Sequence, residues 1–183
     1  MGLGHAVLVA RDWVDDEPFA VLLGDDIIDA DVPCLKQMID IFERYRAPVV
    51  GVMPIDGPEI SRFGVIRAEP VEPGVYRVSD MVEKPRPEEA PSNLAIIGRY
   101  ILTPDIFAEL ERTQPDIRGE IQLTDAMRAL AQKRPFYGYQ FKGRRYDCGD
   151  KLGFLQATVE FALKHADISR DFRRYLKNLR LEE

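Results

Sequence analysis

Cysteine and histidine are scarce in this chain, with two of each among 183 residues. Cys34 and Cys148 form neither a metal-ligand cluster nor a disulfide framework, so a reducing cytoplasm is the expected setting. A basic excess is also lacking. Lysine and arginine number 25 against 31 aspartates and glutamates, for a formal net charge of −6, which speaks against an extended nucleic-acid surface. That balance does not exclude a small phosphorylated ligand, because a few local cations and a metal ion can override it. No apolar run reaches membrane-spanning length, and the first residues do not have the basic-then-apolar layout of a secretory leader, so no membrane partner is expected. Repeats and low-complexity segments are absent as well. What is present is ordinary for a globular protein: 45% hydrophobic and 31% charged residues, in a length that suits one domain with a substantial core.

The apolar pattern reads as a mixed α/β domain. Residues 5–14 are expected to form a short helix with Ala6, Val9, Ala10 and Trp13 on one face. Pro18–Gly24 reads as a strand apolar on both faces, as parallel strands usually are, and ends in Asp25-Asp26. Leu35, Met38, Ile39 and Phe42 recur at helical spacing between Val32 and Arg46, and Ala47–Met53 is a second buried strand. That strand–helix–strand succession argues for a parallel sheet with right-handed crossovers. From about 60 to 102 the style changes to an antiparallel insertion. Segments 63–67 and 75–78 flank Pro73-Gly74, a polar loop spans 86–92, and Leu94–Leu102 is a strand. Helices follow at 104–111 and 121–132, then a strand near 136–141, and C-terminal helices over 150–180.

Four places could carry chemistry, and each also has a purely structural reading. Asp25 follows a strand, where the ligands of open α/β sheets gather, and a carboxylate there can hold Mg²⁺ against phosphate oxygens. Asp25, Asp26 and Asp29 could equally be turn formers and helix caps. Glu83-Lys84-Pro85 sets an acceptor beside a cation, a pair able to read sugar hydroxyls and a phosphate. Adjacent strand residues point to opposite faces, so a shared site requires the strand to bend or end there. The alternative is a solvated surface pair. Asp147, in Arg145–Gly149, is either a second metal ligand or an N-cap. Gly2 and Gly4, just before His5, open a helix start to a ligand's approach, or His5 is simply a helix-start residue.

Taken in order, these segments resemble the UTP–glucose-1-phosphate uridylyltransferase family. The resemblance runs through Gly2–Ala6, Leu23-Gly-Asp25, Phe63-Gly-Val65, Val82–Pro85, Pro91–Tyr100, Gly119–Ala126 and Tyr146–Phe154, covering essentially the whole chain. It implies a Rossmann-like nucleotide-diphospho-sugar transferase fold with a mixed sheet, and an enzyme joining UTP and glucose 1-phosphate into UDP-glucose and pyrophosphate. By resemblance, Gly2, Gly4 and His5 lie beside the uracil and ribose. Asp25 binds Mg²⁺, with Asp147 as a second acidic ligand. Gly64 gives the glucose a backbone contact, Glu83 accepts from glucose hydroxyls, Lys84 grips phosphate, and Asn93 and Gly98 help wall the sugar pocket. Family members tend to be homo-oligomers.

The resemblance also implies a Gly-x-Gly-Thr-Arg loop early in the family, and nothing in this chain matches it. The expectation is therefore a single, incomplete nucleotidyltransferase domain over 1–183, with the N-terminal part absent and little activity alone. Two alternatives stay open. One is a related enzyme taking dTTP or another sugar phosphate, and the other a non-catalytic paralogue that binds sugar phosphate.

Overall fold

The computed structural model describes residues 1–180, so the last residues of the domain expected over 1–183 lie outside the described residues. In chain order the elements begin with α1 (Gly2–Val9), α2 (Arg11–Val14), β1 (Phe19–Leu22), β2 (Asp26–Asp29), α3 (Cys34–Tyr45) and β3 (Val49–Pro54). Next come β4 (Gly64–Glu72), β5 (Val75–Glu83), β6 (Leu94–Leu102), α4 (Asp105–Arg112) and α5 (Leu123–Ala131). The chain continues through β7 (Tyr137–Gln140), β8 (Arg144–Asp147), α6 (Lys151–Lys164) and α7 (Ser169–Asn178). They fall into two compact units: Met1–Leu23 with Ala30–Lys142, and Gly24–Asp29 with the chain from Gly143 onward. Among the described residues no helix is long and apolar enough to cross a membrane.

The larger unit is built on a six-stranded mixed sheet in the order β1-β6-β3-β7-β5-β4. Its long strand β6 is antiparallel to both β1 and β3, while β3 and β7 run parallel. The strands at 18–24 and 47–53 therefore run in the same direction, as their succession leads one to expect, but they are not neighbours. β6 separates them because Ala95, Ile96, Ile97, Tyr100, Ile101 and Leu102 are buried, and a strand apolar on both faces needs a partner along each edge. β1 also departs from expectation. It ends the sheet and alternates between half-buried and exposed residues, with Leu22 49% exposed.

Helices cover the sheet through apolar stripes at helical spacing. α5 presents Leu123, Ala126, Met127 and Leu130, and α4 presents Ile106, Phe107 and Leu110, to a core shared with Val50, Val52, Ile66, Met81 and Phe136. α3 buries Cys34, Met38 and Ile41 and is closed by Arg46 in a left-handed conformation. The helix expected at 5–14 is broken into α1 and α2, where Ala10 and Trp13 close a tight turn (Trp13 N–H to Ala10 carbonyl, 3.0 Å).

The smaller unit contains two strands that the apolar pattern did not indicate. β2 and β8 pair antiparallel with Asp26 opposite Asp147 and Asp29 opposite Arg144. Each is four residues long and rich in charge, so neither carries the alternation that marks a strand in sequence. Their partners replace apolar burial: Arg145 meets Asp26, both largely buried, and Lys164 of α6 meets Asp29. Asp150 caps α6, accepting from the N–H groups of Leu152 (3.0 Å) and Gly153 (3.1 Å). Phe161 of α6 lies edge-on to Tyr146 of β8.

Candidate functional site

In the larger unit, β4 and β5 begin and end at the same place, with Gly64 in register opposite Glu83. The strand stops there. Lys84 takes a left-handed backbone, φ +46°, which no ordinary strand residue adopts, while its N–H remains bonded to the Phe63 carbonyl at 3.0 Å. This reversal supplies the bend that an acid–cation pair at consecutive positions requires. Lys84 Nζ lies 3.6 Å from Glu83 Oε1, so both side chains reach the same side. Glu83 Oε2 accepts a hydrogen bond from Thr124 Oγ1 at 2.6 Å. Gly64 is fixed by that arrangement, since a Cβ would come 3.0 Å from Thr124 Oγ1, 3.1 Å from Glu83 Oε2 and 3.3 Å from Ile96 Cδ1. The next residue of α5, Asp125, feels the same acid: burial first, and then the Glu83 charge, push its carboxyl above the usual range.

Thr124 went unnoticed in the sequence. It sits within the Gly119–Ala126 run, but a lone threonine between Leu123 and Asp125 carries no signal of its own. Its contact with Glu83 spans 41 residues and exists only once α5 lies on β5.

In the smaller unit, Asp25 and Asp147 flank one glycine. A Cβ at Gly149 would come 3.1 Å from Asp25 Oδ2 and 3.2 Å from Asp147 Oδ1. The Asp25 carbonyl accepts from Cys148 N–H at 2.7 Å, and Asp147 Oδ1 from Gly149 N–H at 3.1 Å. Arg145 Nη2 stands 3.4 Å from Asp147 Oδ2. The capping role that competed with a ligand role for Asp147 belongs to Asp150 instead. Asp29 caps no helix either, because the N-cap of α3 is Pro33 and no side chain caps it. Among the described residues there is no cluster of three or more His, Cys, Asp or Glu able to hold a metal. Two convergent carboxylates do fit a hard cation that keeps waters and phosphate oxygens for its other positions.

The remaining candidates are placed as follows. Gly2 and Gly4 allow α1 to press its backbone on the segment before α5. A Cβ on either would meet the Ile121 carbonyl at 2.7 Å, and Gly4 N–H already donates to that carbonyl at 2.9 Å. Close packing thus accounts for both glycines without a ligand. His5 is half-buried on α1. Asn93 donates to Asp56 Oδ1 at 3.0 Å and helps line an open concavity of about 440 Å³ with Ile55, Ile60, Pro87 and Ser92. Gly98 is buried in β6, where its carbonyl accepts from Leu23 N–H (2.9 Å) and Arg99 Nη1 (2.7 Å), tying down the chain just after β1. Asp25 and Lys84 belong to different units.

Comparison with known proteins adds three findings. Residues 1–163 match the family described as nucleotidyl transferase. The UTP–glucose-1-phosphate uridylyltransferase of Staphylococcus epidermidis is 47% identical over 178 residues, covering 97% of this chain and 62% of that protein. Among solved structures, a UDP-glucose pyrophosphorylase complexed with UDP-glucose superposes with a TM-score of 0.86 at 49% identity, covering 90% of this chain and 63% of that one. The UTP-bound enzyme of the same kind from Acinetobacter baumannii superposes with 0.87 at 34% identity, covering 98% and 62%. The chain thus spans about three-fifths of the length of these relatives.

Proposed function

As the chain belongs to the nucleotidyl transferase family, we propose that it serves the synthesis of UDP-glucose and pyrophosphate from UTP and glucose 1-phosphate. The observation that carries this reading is the Glu83–Lys84 pair, turned to one side by the left-handed Lys84 and backed by Gly64 and Thr124. A carboxylate that accepts from hydroxyls, beside an ammonium that attracts phosphate, matches the two ends of a sugar 1-phosphate. Similarity to uridylyltransferases over nearly the whole chain supports the choice of sugar and nucleotide.

The reaction needs no protein nucleophile. A phosphate oxygen of glucose 1-phosphate attacks the α-phosphorus of UTP in line, and pyrophosphate leaves with the electron pair of the broken bond. What a protein contributes is alignment and charge neutralisation. Glu83 orients the sugar through its hydroxyls, and Lys84 offsets phosphate charge. Asp25 and Asp147 are the residues that would hold Mg²⁺, whose chemistry is to reduce repulsion between the reacting phosphates. The chain is read as part of a cytoplasmic enzyme, with homo-oligomers as the expected assembly.

The test has two arms. Calorimetric titration of the chain with glucose 1-phosphate should show binding, and galactose 1-phosphate should bind more weakly. Pyrophosphate release should then be measured with Mg²⁺ and a panel of nucleotides and sugar phosphates, with UTP and glucose 1-phosphate the expected pair. The chain covers 62% of its relative's length, so binding without turnover agrees with the little activity expected of it alone, and would favour the non-catalytic reading only if it persisted with the relatives' remaining segment supplied. Preference for dTTP would move the chain to the related thymidylyl enzymes. No binding of any sugar phosphate would end the proposal.

A further inference from the structure

The two oxygens of Glu83 meet different partners. Oε2 faces inward, 2.6 Å from the Thr124 hydroxyl and next to the Gly64 backbone, whereas Oε1 lies on the Lys84 side. Thr124 is 7% exposed, so its hydroxyl proton has no ready supply of solvent partners and is committed to the carboxylate. We propose that Thr124 is a positioning residue for sugar recognition: it occupies the inner oxygen of Glu83 and so fixes the outer oxygen beside Lys84 as the acceptor offered to the ligand's hydroxyls.

Three physical points carry this. A carboxylate has two oxygens and a freely turning end, and an unanchored one can satisfy itself with either, including by swinging onto the adjacent ammonium. A buried hydroxyl donating to a charged acceptor at 2.6 Å is the short, strong kind of hydrogen bond that prevents such a swing. The surroundings also disfavour any inward rearrangement without that proton, since Asp125 carries a like charge near Glu83 and the space beside Gly64 is tight. α5 itself does not depend on the Thr124 contact. Leu123, Met127 and Leu130 hold it in the core, and Arg128 ties it to Asp80 of β5 at 2.6 Å. The hydroxyl is thus available for positioning rather than needed for docking the helix.

The inference rests on the sugar-phosphate reading above, and the experiment separates the two. Glucose 1-phosphate and inorganic phosphate are titrated by calorimetry into the unaltered chain, Thr124→Val, Thr124→Ser and a docking control, Arg128→Gln. Loss of the hydroxyl should weaken glucose 1-phosphate by at least about tenfold and leave inorganic phosphate, which calls on Lys84 alone, unchanged. Thr124→Ser should restore sugar-phosphate binding, and Arg128→Gln should leave it intact while lowering the melting temperature. Should Thr124→Val lose its cooperative melt, Thr124→Ala removes the same hydroxyl without adding apolar bulk and must show the same split. Equal affinity of Val or Ala variants and the unaltered chain for glucose 1-phosphate overturns the inference and leaves the function standing. Equal loss for both ligands makes the contact merely structural and overturns it too. No binding by the unaltered chain overturns the functional reading and this inference together.

Discussion

At Lys84 the backbone pays for chemistry. A left-handed non-glycine residue costs roughly 1–2 kcal/mol, and here it places no residue in the core, the Lys84 side chain being 44% exposed. The return is geometric, because only this reversal sets Glu83 and Lys84 side by side. Two opposite effects are therefore expected of Lys84→Gly. Urea denaturation should show it about 0.5–1 kcal/mol more stable, while glucose 1-phosphate binds at least about tenfold more weakly, the value of one charge-assisted contact. Lys84→Ala should lose the affinity without gaining the stability. A second residue prediction concerns the thiols. Burial lifts Cys34 from an ordinary 9.0 to about 11, with Arg99 opposing the rise only in part. Since the thiolate is the reactive form, Cys34 should resist alkylation at pH 8 while half-buried Cys148 reacts, as a mass-spectrometric time course would show. The sign for stability follows from the same shift. The folded chain keeps a proton that the unfolded chain releases near pH 9, so this contribution is complete below pH 9 and is lost as pH climbs through about 11.

At the scale of elements, the smaller unit depends on one glycine. A Cβ at Gly153 would sit 2.0 Å from the Asp147 carbonyl oxygen, so α6 touches β8 backbone to backbone. Gly153→Ala must push the helix off the strand that carries Asp147. A loss of at least about 2 kcal/mol is expected, as for overpacking with no flexible neighbour to yield, whereas Asp150→Ala should cost about 1 kcal/mol as a lost cap. Thermal melts of the two variants would rank them, and the reverse order would show that the helix start, not its approach to β8, holds the unit together. The same two regions show what the sequence could and could not disclose. β6 was legible to the residue, 94–102, because nine successive positions suit a strand buried on both faces. The hairpin was legible from Pro73-Gly74, although β4 and β5 run further than the apolar runs that flag them. β2 and β8 were not legible. Their stability lies in Arg145–Asp26 and Lys164–Asp29, contacts across more than a hundred residues that leave no local period. The site divides in the same way. Glu83, Lys84, Asp25 and Asp147 stand out as residue types in suggestive places, but neither the reversal at Lys84 nor the hydroxyl of Thr124 has a signature in the chain before it folds.

For the molecule as a whole, charge and exposed apolar surface act against each other. Val9, the lone tryptophan Trp13, Leu152 and Phe154 are all more than half exposed, and a helix as apolar as α1 would ordinarily be covered on more sides than Gly4 and Val7 provide. What opposes association at neutral pH is the net charge of −6. That opposition vanishes near the isoelectric point, pH 5.1. Dynamic light scattering should therefore show the particle size rising as pH falls from 7 toward 5, and again at pH 7 as added salt shortens the reach of the repulsion. Trp13 gives the process an internal reporter. Its emission should lie at the solvent-exposed limit in the dispersed state, fully open to acrylamide quenching, and shift blue only if association covers α1 and α2. A size increase without a blue shift would locate the contact elsewhere, with Leu152 and Phe154 of α6 next to be tested by Phe154→Ser. A size that stayed constant across both pH and salt would refute charge as the restraint and point instead to a fixed oligomer already present at pH 7.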